Sequence, residues 1–115
     1  MRGLSGLLVV ALAAVVGGPV VAQTLPTVTL TLKGHRFTPT SFSVPAGQKV
    51  RINLINLDAA TEEFDSHDLK VEQLVTPNGR ATFTIGPLKP GAYAFMGEFH
   101  PDTAQGRVTA VEAGR

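Results

Sequence analysis

The 115-residue chain contains no cysteine. Without a thiol it has no disulfide, no Cys nucleophile, no Cys-x-x-Cys redox pair and no thiolate ligand for an iron–sulfur cluster. The folded state must therefore be stabilised by packing alone or by packing together with a bound ligand.

Neither sign of charge is in clear excess. The chain has ten Lys and Arg residues against nine Asp and Glu residues. Arg2 is the one charged residue among the first 22, so residues 23–115 are formally neutral. A nucleic-acid-binding domain would carry a basic face or stripe, and we therefore predict no nucleic-acid partner.

A long apolar run occurs once, near the N-terminus. It spans Leu7 to Val16, follows Arg2, and precedes the small residues Val20-Val21-Ala22. This pattern predicts a secretory signal peptide over residues 1–22 and a periplasmic protein over residues 23–115. The alternative is a membrane anchor, but the run is short for a span of about 20 residues and Gly17-Gly18-Pro19 interrupts it. We expect no membrane span after cleavage.

The remaining chain has no segment with a sustained helical period. Short segments instead alternate apolar and polar residues and are separated by Gly and Pro turns, which is typical of half-buried strands. The predicted extended segments are residues 27–33, 37–44, 48–56, 69–74, 81–85, 92–95 and 107–112. This spacing predicts one all-β domain over residues 23–115, a Greek-key β-sandwich of about seven to eight strands.

Acidic residues crowd into one stretch of the sequence. Six carboxylates lie among the 15 positions from 58 to 72: Asp58, Glu62, Glu63, Asp65, Asp68 and Glu72. A second, smaller group, Glu98 and Asp102, flanks His100. Crowded carboxylates repel one another unless water separates them or a cation bridges them. A metal site with nitrogen and oxygen ligands is one reading, and a solvated edge or a docking face is the other.

Several segments resemble the cupredoxins, the small copper-binding β-sandwich proteins. The segments that carry the general resemblance are 37–39, 44–47, 52–56, 90–95, His100 and 106–108. Residues 62–69 and 97–106 also resemble the cupredoxin-like domains associated with bacterial Efe-type iron-permease uptake systems. The resemblance implies a cupredoxin-like fold and a role as an accessory of iron uptake.

The resemblance also implies a set of metal ligands. His67 and His100 match the two histidine positions of the electron-transfer cupredoxins, whereas Gly97 falls on the cysteine position and Ala104 on the axial methionine position. A blue-copper site needs the thiolate, so that chemistry is not expected. The predicted ligands are His67, His100, Glu98 and Glu63, with Met96, Asp65 and Glu72 in reserve. His35 is expected to be a solvated loop residue.

These residues predict an exported protein that binds copper or iron. The implied partner is a membrane iron permease or a related periplasmic uptake component, with assistance in oxidising Fe(II) as one form of the role. The alternative is a metal chaperone or a metal-free docking module. No setting for a hydrolytic Ser nucleophile is found. Core packing is expected for five aromatic residues: Phe42, Phe83, Tyr93, Phe95 and Phe99.

Overall fold

The structure, a computed structural model, describes residues 24–113. The predicted signal peptide, residues 1–22, lies outside the described residues. Within residues 24–113, no helix has the length and hydropathy that a membrane crossing requires.

The all-β prediction is confirmed, and the described residues form nine strands. They are β1 Thr27–Lys33, β2 Arg36–Thr38, β3 Ser41–Pro45, β4 Val50–Asn56, β5 Glu62–Ser66, β6 Val71–Val75, β7 Arg80–Ile85, β8 Gly91–Gly97 and β9 Gln105–Val111. The count exceeds the seven predicted segments by two, because β5 was not predicted as a strand and because the extended segment 37–44 divides into β2 and β3. Pro39 lies at the division and has no N–H to donate to a ladder.

The strands form two sheets that pack face to face as a sandwich. The larger sheet has the order β3-β9-β8-β5-β6, and the smaller sheet has the order β2-β1-β4-β7. Two neighbouring pairs, β3 with β9 and β1 with β4, run parallel. The other pairs are antiparallel. This order places the start of β5 beside the end of β8, where Phe64 pairs with Gly97.

Side chains from the inner faces of both sheets form the core. Three buried rings lie at its centre: Phe37 packs edge-on against Phe64 and Phe95, and Phe64 stacks on Phe95 at a centroid distance of 4.8 Å. Burying such a side chain stabilises the fold by about 2 to 3 kcal/mol. The expectation for Phe99 is wrong, because this side chain is 50% exposed in the turn after β8.

Candidate metal centre

Four polar side chains form a row at one end of the sandwich, in the order Asp58, His35, His100, Glu62. The distance from Asp58 Oδ2 to His35 Nδ1 is 3.5 Å, and that from His100 Nδ1 to Glu62 Oε2 is 2.6 Å. Between them the two imidazole rings stack with centroids 3.6 Å apart and planes 12° apart. The row joins the β1–β2 turn, the β4–β5 loop, the start of β5 and the β8–β9 loop.

The β1–β2 turn positions His35. Gly34 and His35 are the two residues between the paired ends of the hairpin, and both have positive φ angles, 60° and 59°. Two consecutive positive φ angles are typical of the tight turns that match strand twist. The Asp58 carboxylate accepts hydrogen bonds from the backbone N–H of Gly34 at 2.7 Å and of His35 at 2.9 Å. Asp58 therefore holds the turn that presents His35.

Asp58 is ionised more easily than a free carboxyl. Desolvation acts against its charge, but the backbone N–H groups of His35 and Gly34 outweigh it. The imidazoles of His35 and His100 act in the same direction, and the pKa of Asp58 is lowered. This end of the row therefore provides a stable negative charge.

Asn56 anchors the loop that carries Asp58. Its side chain is fully buried, donates to the carbonyl oxygens of Ala60 and Thr76, and accepts from the N–H of Asp58. We expect Asn56→Ala to lower the free energy of unfolding by about 2 kcal/mol, because three backbone groups lose their partner. Urea unfolding measures this.

Asn53→Ala is the matched control, because Asn53 lies three residues earlier on the same strand and its side chain is on the outward face. Its side chain accepts one hydrogen bond from Thr82, and surface substitutions of this kind change stability by about 0.5 kcal/mol or less. Equal costs for the two variants would contradict the anchoring role of Asn56.

Glu62 is a buried carboxylate at the other end of the row, with 1% exposure. Its Oε1 accepts from the backbone N–H groups of Glu63 and Phe99, and its Oε2 contacts His100 Nδ1. A buried charge needs partners of this kind. Because Nδ1 of His100 is engaged by the carboxylate, Nε2 is the ring nitrogen left for another ligand, the arrangement found where a carboxylate orients a metal-binding histidine.

Gly97 leaves the space that Glu62 occupies. A Cβ built on Gly97 would lie 2.7 Å from Glu62 Cδ, 2.8 Å from Glu62 Oε2 and 2.8 Å from Ala104 Cβ. The Glu62 carboxylate therefore approaches the backbone at Gly97 as closely as the lack of a side chain there allows. Gly97 and Ala104, at the two positions where the resemblance would require sulfur ligands, are both buried.

The donor set of the row fits a metal ion that accepts nitrogen and oxygen. His35, Glu62 and His100 each offer an atom within 4.8 Å of the other two. Donor atoms bound about 2.1 Å from one ion lie within about 4.2 Å of each other, so side chains whose donor atoms lie up to 4.8 Å apart would move together on binding one ion. Imidazole and carboxylate ligands suit copper, iron and zinc, and the absence of sulfur excludes a thiolate–copper bond.

The structure divides the predicted ligands instead of bringing them together. His100 belongs to the row. Glu63 and Glu98 form a second group with Asp65, within 4.8 Å of one another, on the outer face of the larger sheet. Glu72 lies opposite Asp65 on β6, and Met96 is an exposed neighbour of Asp65 on β8.

His67 lies outside both groups among the described residues. β5 ends at Ser66, one residue before His67. A turn follows in which Lys70 has a positive φ of 59°, so side-chain alternation no longer applies. His67 is exposed and lines a shallow cleft with Asp65 and Lys70.

The second group consists of carboxylates that repel one another. Desolvation and the negative charges of Glu72, Asp65, Glu98 and Glu62 raise the pKa of Glu63. A raised pKa means that the folded state disfavours the charged form, so this carboxylate destabilises the fold once both states are ionised.

We therefore expect Glu63→Gln to raise the midpoint of thermal unfolding at neutral pH. The gain should grow as the pH rises from the ordinary carboxyl value of 4.5 through the raised pKa, and it should vanish below that range, where the wild-type carboxyl is neutral. Glu112→Gln, outside the group, is the control and should show no such pH-dependent gain. A lower midpoint for Glu63→Gln at neutral pH would contradict the repulsion.

The residues missed by sequence reasoning are His35, Asp58 as its partner, and Glu62 as a buried ligand candidate. The sequence did offer a signal for Glu62. It lies two residues before Phe64, and in a strand residues two apart point to the same side, so Glu62 could have been expected to point inward with Phe64. The Gly34-His35 pair between two strand segments was a signal for a tight turn that could present a side chain at the end of the sandwich.

The profile of the cupredoxin-like domain matches residues 6–110. The chain belongs to the cupredoxin-like domain family. Its sequence is 46% identical over 79 residues to the uncharacterized protein RP394 of Rickettsia prowazekii, covering 69% of this chain and 63% of that protein. The chain thus matches less than two thirds of the length of this relative.

Solved structures of low sequence identity share the cupredoxin-like fold. Auracyanin A, a blue copper protein from Chloroflexus aurantiacus, superposes with a TM-score of 0.66 at 16% identity, covering 76% of this chain and all of auracyanin A. The metal-binding domain of the Cu(I)-exporting ATPase CopA from Streptococcus pneumoniae superposes with a TM-score of 0.66 at 12% identity, covering 75% and 85% of the two chains. At these identities, the likeness shows the fold.

Proposed function

We propose that this cupredoxin-like protein is an exported metal-binding accessory of bacterial iron uptake. Copper or iron would be held at the row formed by His35, His100 and Glu62. The observation that carries the proposal is the pair of stacked imidazoles between two carboxylates, since imidazole nitrogens and nearby negative charge suit a divalent cation.

The comparisons support metal binding through the family and its structural neighbours. Two of those neighbours are described as a blue copper protein and as a Cu(I)-bound domain of a copper exporter. The iron-uptake role rests on the resemblance of residues 62–69 and 97–106 to iron-permease-associated domains. In that role, the protein would act in the periplasm and pass metal to a membrane iron permease.

Holding and delivering a metal suits the row better than fast electron transfer does. Blue-copper electron-transfer sites have two histidines and a cysteine thiolate, and their potential is tuned around that sulfur. The described row offers imidazole nitrogens and carboxylate oxygens instead. Cu(II) favours tetragonal geometry with such ligands, so redox cycling requires reorganisation. In the redox form of the proposal, His35, His100 and Glu62 would hold a Cu(II) ion able to take one electron from Fe(II), giving Fe(III) and Cu(I) in equal amounts.

Titration with Cu(II) tests the site. We expect the chain from Gln23 onward, which holds all nine strands, to bind about one equivalent and to give an electron paramagnetic resonance spectrum with nitrogen hyperfine structure. The double variant His35→Ala/His100→Ala should bind at least about 100-fold more weakly, because loss of a partner that merely orients a ligand already costs up to about that much and this variant removes two ligands. The loaded protein should also lack the intense visible absorption of a thiolate–copper bond.

His67→Ala is the matched control for this titration, because it removes one exposed imidazole outside the row. Binding that is lost in His67→Ala and kept in the double variant would move the site to His67 and the acidic group. Binding unchanged in both variants would move the site elsewhere, and absence of binding to the unsubstituted protein would leave a metal-free docking module. Anaerobic titration with Fe(II) decides whether the same residues hold iron.

Growth of the source bacterium under iron limitation tests the physiological part of the proposal. A deletion strain should grow poorly at low iron, and the wild-type gene, but not the double variant, should restore growth. Restoration of growth by the double variant would show that iron uptake does not require the metal centre.

A further inference from the structure

The outer face of the smaller sheet is basic, although residues 23–115 are neutral overall. Its strands β1, β2, β4 and β7 contain no Asp or Glu. Four basic side chains are exposed on them: Lys33, Arg36, Arg51 and Arg80. We refer to the outward-facing residues of these four strands as the basic face.

Strand register spreads the four cations over the whole basic face. Arg51 lies between Thr27 and Thr84 near one end, and Arg80 pairs with Ile55 further along. Lys33 pairs with Arg36 at the end that carries His35. The positions between them are mainly threonines, whose hydroxyls can donate hydrogen bonds: Thr29, Thr31, Thr38 and Thr82.

The cations of the basic face have no carboxylate partner. Within residues 24–113, the side-chain ion pairs closer than 4.0 Å are those of His35 and His100, and neither involves Lys or Arg. The exposed carboxylates of the second group lie on the outer face of the opposite sheet. Packed sheets are about 10 Å apart, and charges beyond about 10 Å are largely screened at 0.1 M salt. The basic face therefore acts on its surroundings as a positive surface.

We propose that the basic face docks on a bilayer rich in anionic phospholipid. The face is an open sheet surface, and its four cations line none of the main clefts among residues 24–113. Its aromatic neighbours Phe37 and Phe83 point inward, so it offers no ring on which a nucleic-acid base could stack. Arg and Lys spaced over a flat, hydroxyl-rich surface suit an extended array of phosphate groups.

A second copy of the chain is a weaker candidate for the occupant. The acidic group of one copy could contact the basic face of another. Such a dimer would still have one basic face and one acidic group exposed, because the contact joins two different surfaces. Such a contact extends into an open chain unless its rotation closes a ring. A bilayer satisfies all four cations at once without this requirement.

Docking in this way would hold the metal centre beside the membrane, because His35 lies in the turn between Lys33 and Arg36. The inference goes beyond metal binding and does not depend on it, since none of the four cations belongs to the row. Failure of vesicle binding and failure of metal binding are therefore separate results.

Vesicle co-sedimentation tests the proposal, using the chain from Gln23 onward without added metal. We expect binding to vesicles of equal parts phosphatidylglycerol and phosphatidylcholine, weakening as salt rises, and no binding to phosphatidylcholine alone. The double variant Arg51→Gln/Arg80→Gln should partition about 25-fold less, since each basic residue near an anionic surface contributes about fivefold. Its Cu(II) binding should be unchanged.

Lys70→Gln/Arg107→Gln is the matched control, because it removes the same net charge from outside the basic face. The control should retain most of the binding. Equal losses in the two double variants would overturn the proposal in favour of a general charge effect, and so would absence of binding to the phosphatidylglycerol vesicles. Salt-sensitive self-association in analytical ultracentrifugation, without vesicle binding, would assign the face to a second copy instead.

Discussion

Glu62→Ala is expected to lower the free energy of unfolding by about 4 kcal/mol, a large share of the stability of a small domain. The substitution removes the acceptor for the N–H groups of Glu63 and Phe99 and for the His100 ring. These donors are left without partners, and the void beside Gly97 adds the cost of a cavity. Denaturant unfolding followed by circular dichroism measures the loss.

Glu98→Ala is the control, since it removes an exposed carboxylate from the same end of the molecule and should change stability by about 0.5 kcal/mol or less. The stability of Glu62→Gln should lie between those of wild type and Glu62→Ala. The amide keeps the volume and one acceptor oxygen, but its NH₂ group faces an N–H donor and cannot accept a hydrogen bond from it. A cost below about 1 kcal/mol for Glu62→Ala would mean that water replaces the carboxylate as acceptor.

Apart from β5, which was not among the predicted segments, the strands of this cupredoxin-like domain could be predicted because their information is local. Alternation of apolar and polar residues in segments such as 27–33 and 50–56 reports directly which side of a sheet faces the core. The division of 37–44 into β2 and β3 was harder to predict, since it depends on which sheet each half joins. The hairpin with β1 places β2 in the smaller sheet, whereas the long-range pairing with β9 places β3 in the larger one.

The metal centre was harder to predict because its contacts are non-local. Glu62 and His100 are 38 positions apart, and His35 and Asp58 are 23 apart. No local pattern states that the four side chains meet. His67 was the more obvious ligand candidate, because it lies within the acidic stretch of the sequence. However, β5 ends at Ser66, and His67 is exposed to solvent in the turn that follows.

The basic face could not be predicted from the sequence either, because it depends on which strands lie side by side. The formal charge of residues 23–115 is zero, which excluded a strongly basic domain but not a segregation of charge between two sheets. Arg51 and Arg80 are far apart in the sequence and share one surface only because β4 pairs with β7. Composition constrains the total charge, whereas topology determines where the charge lies.

Gly97→Ala is expected to cost about 3 kcal/mol, the upper end of the usual range for adding a methyl group to a packed interior. The added Cβ would approach three atoms closer than 3.0 Å, two of them in Glu62 and the third in Ala104. The backbone of Gly97 is tied to Ala104 by a 2.8 Å hydrogen bond, so the strand cannot move away freely. Denaturant unfolding of the variant measures the cost.

The double variant Gly97→Ala/Glu62→Ala identifies the cause. If the Glu62 carboxylate fills the space, the cost of Gly97→Ala should fall to about 1 kcal/mol in the Glu62→Ala background, a coupling of about 2 kcal/mol between the two sites. Gly106→Ala is the control, because its Cβ would meet the Phe95 ring at 2.1 Å. Its cost should be nearly the same with or without Glu62.

A cysteine at position 97 would begin with that same Cβ. The coupling therefore measures whether a thiolate and the buried Glu62 carboxylate are alternatives in this cupredoxin-like site. A strong coupling means that installing sulfur requires removing the carboxylate that holds His100 in place. Full additivity would mean that the loop after β8 can shift to admit both, and that the lack of a thiolate does not follow from the packing of Glu62.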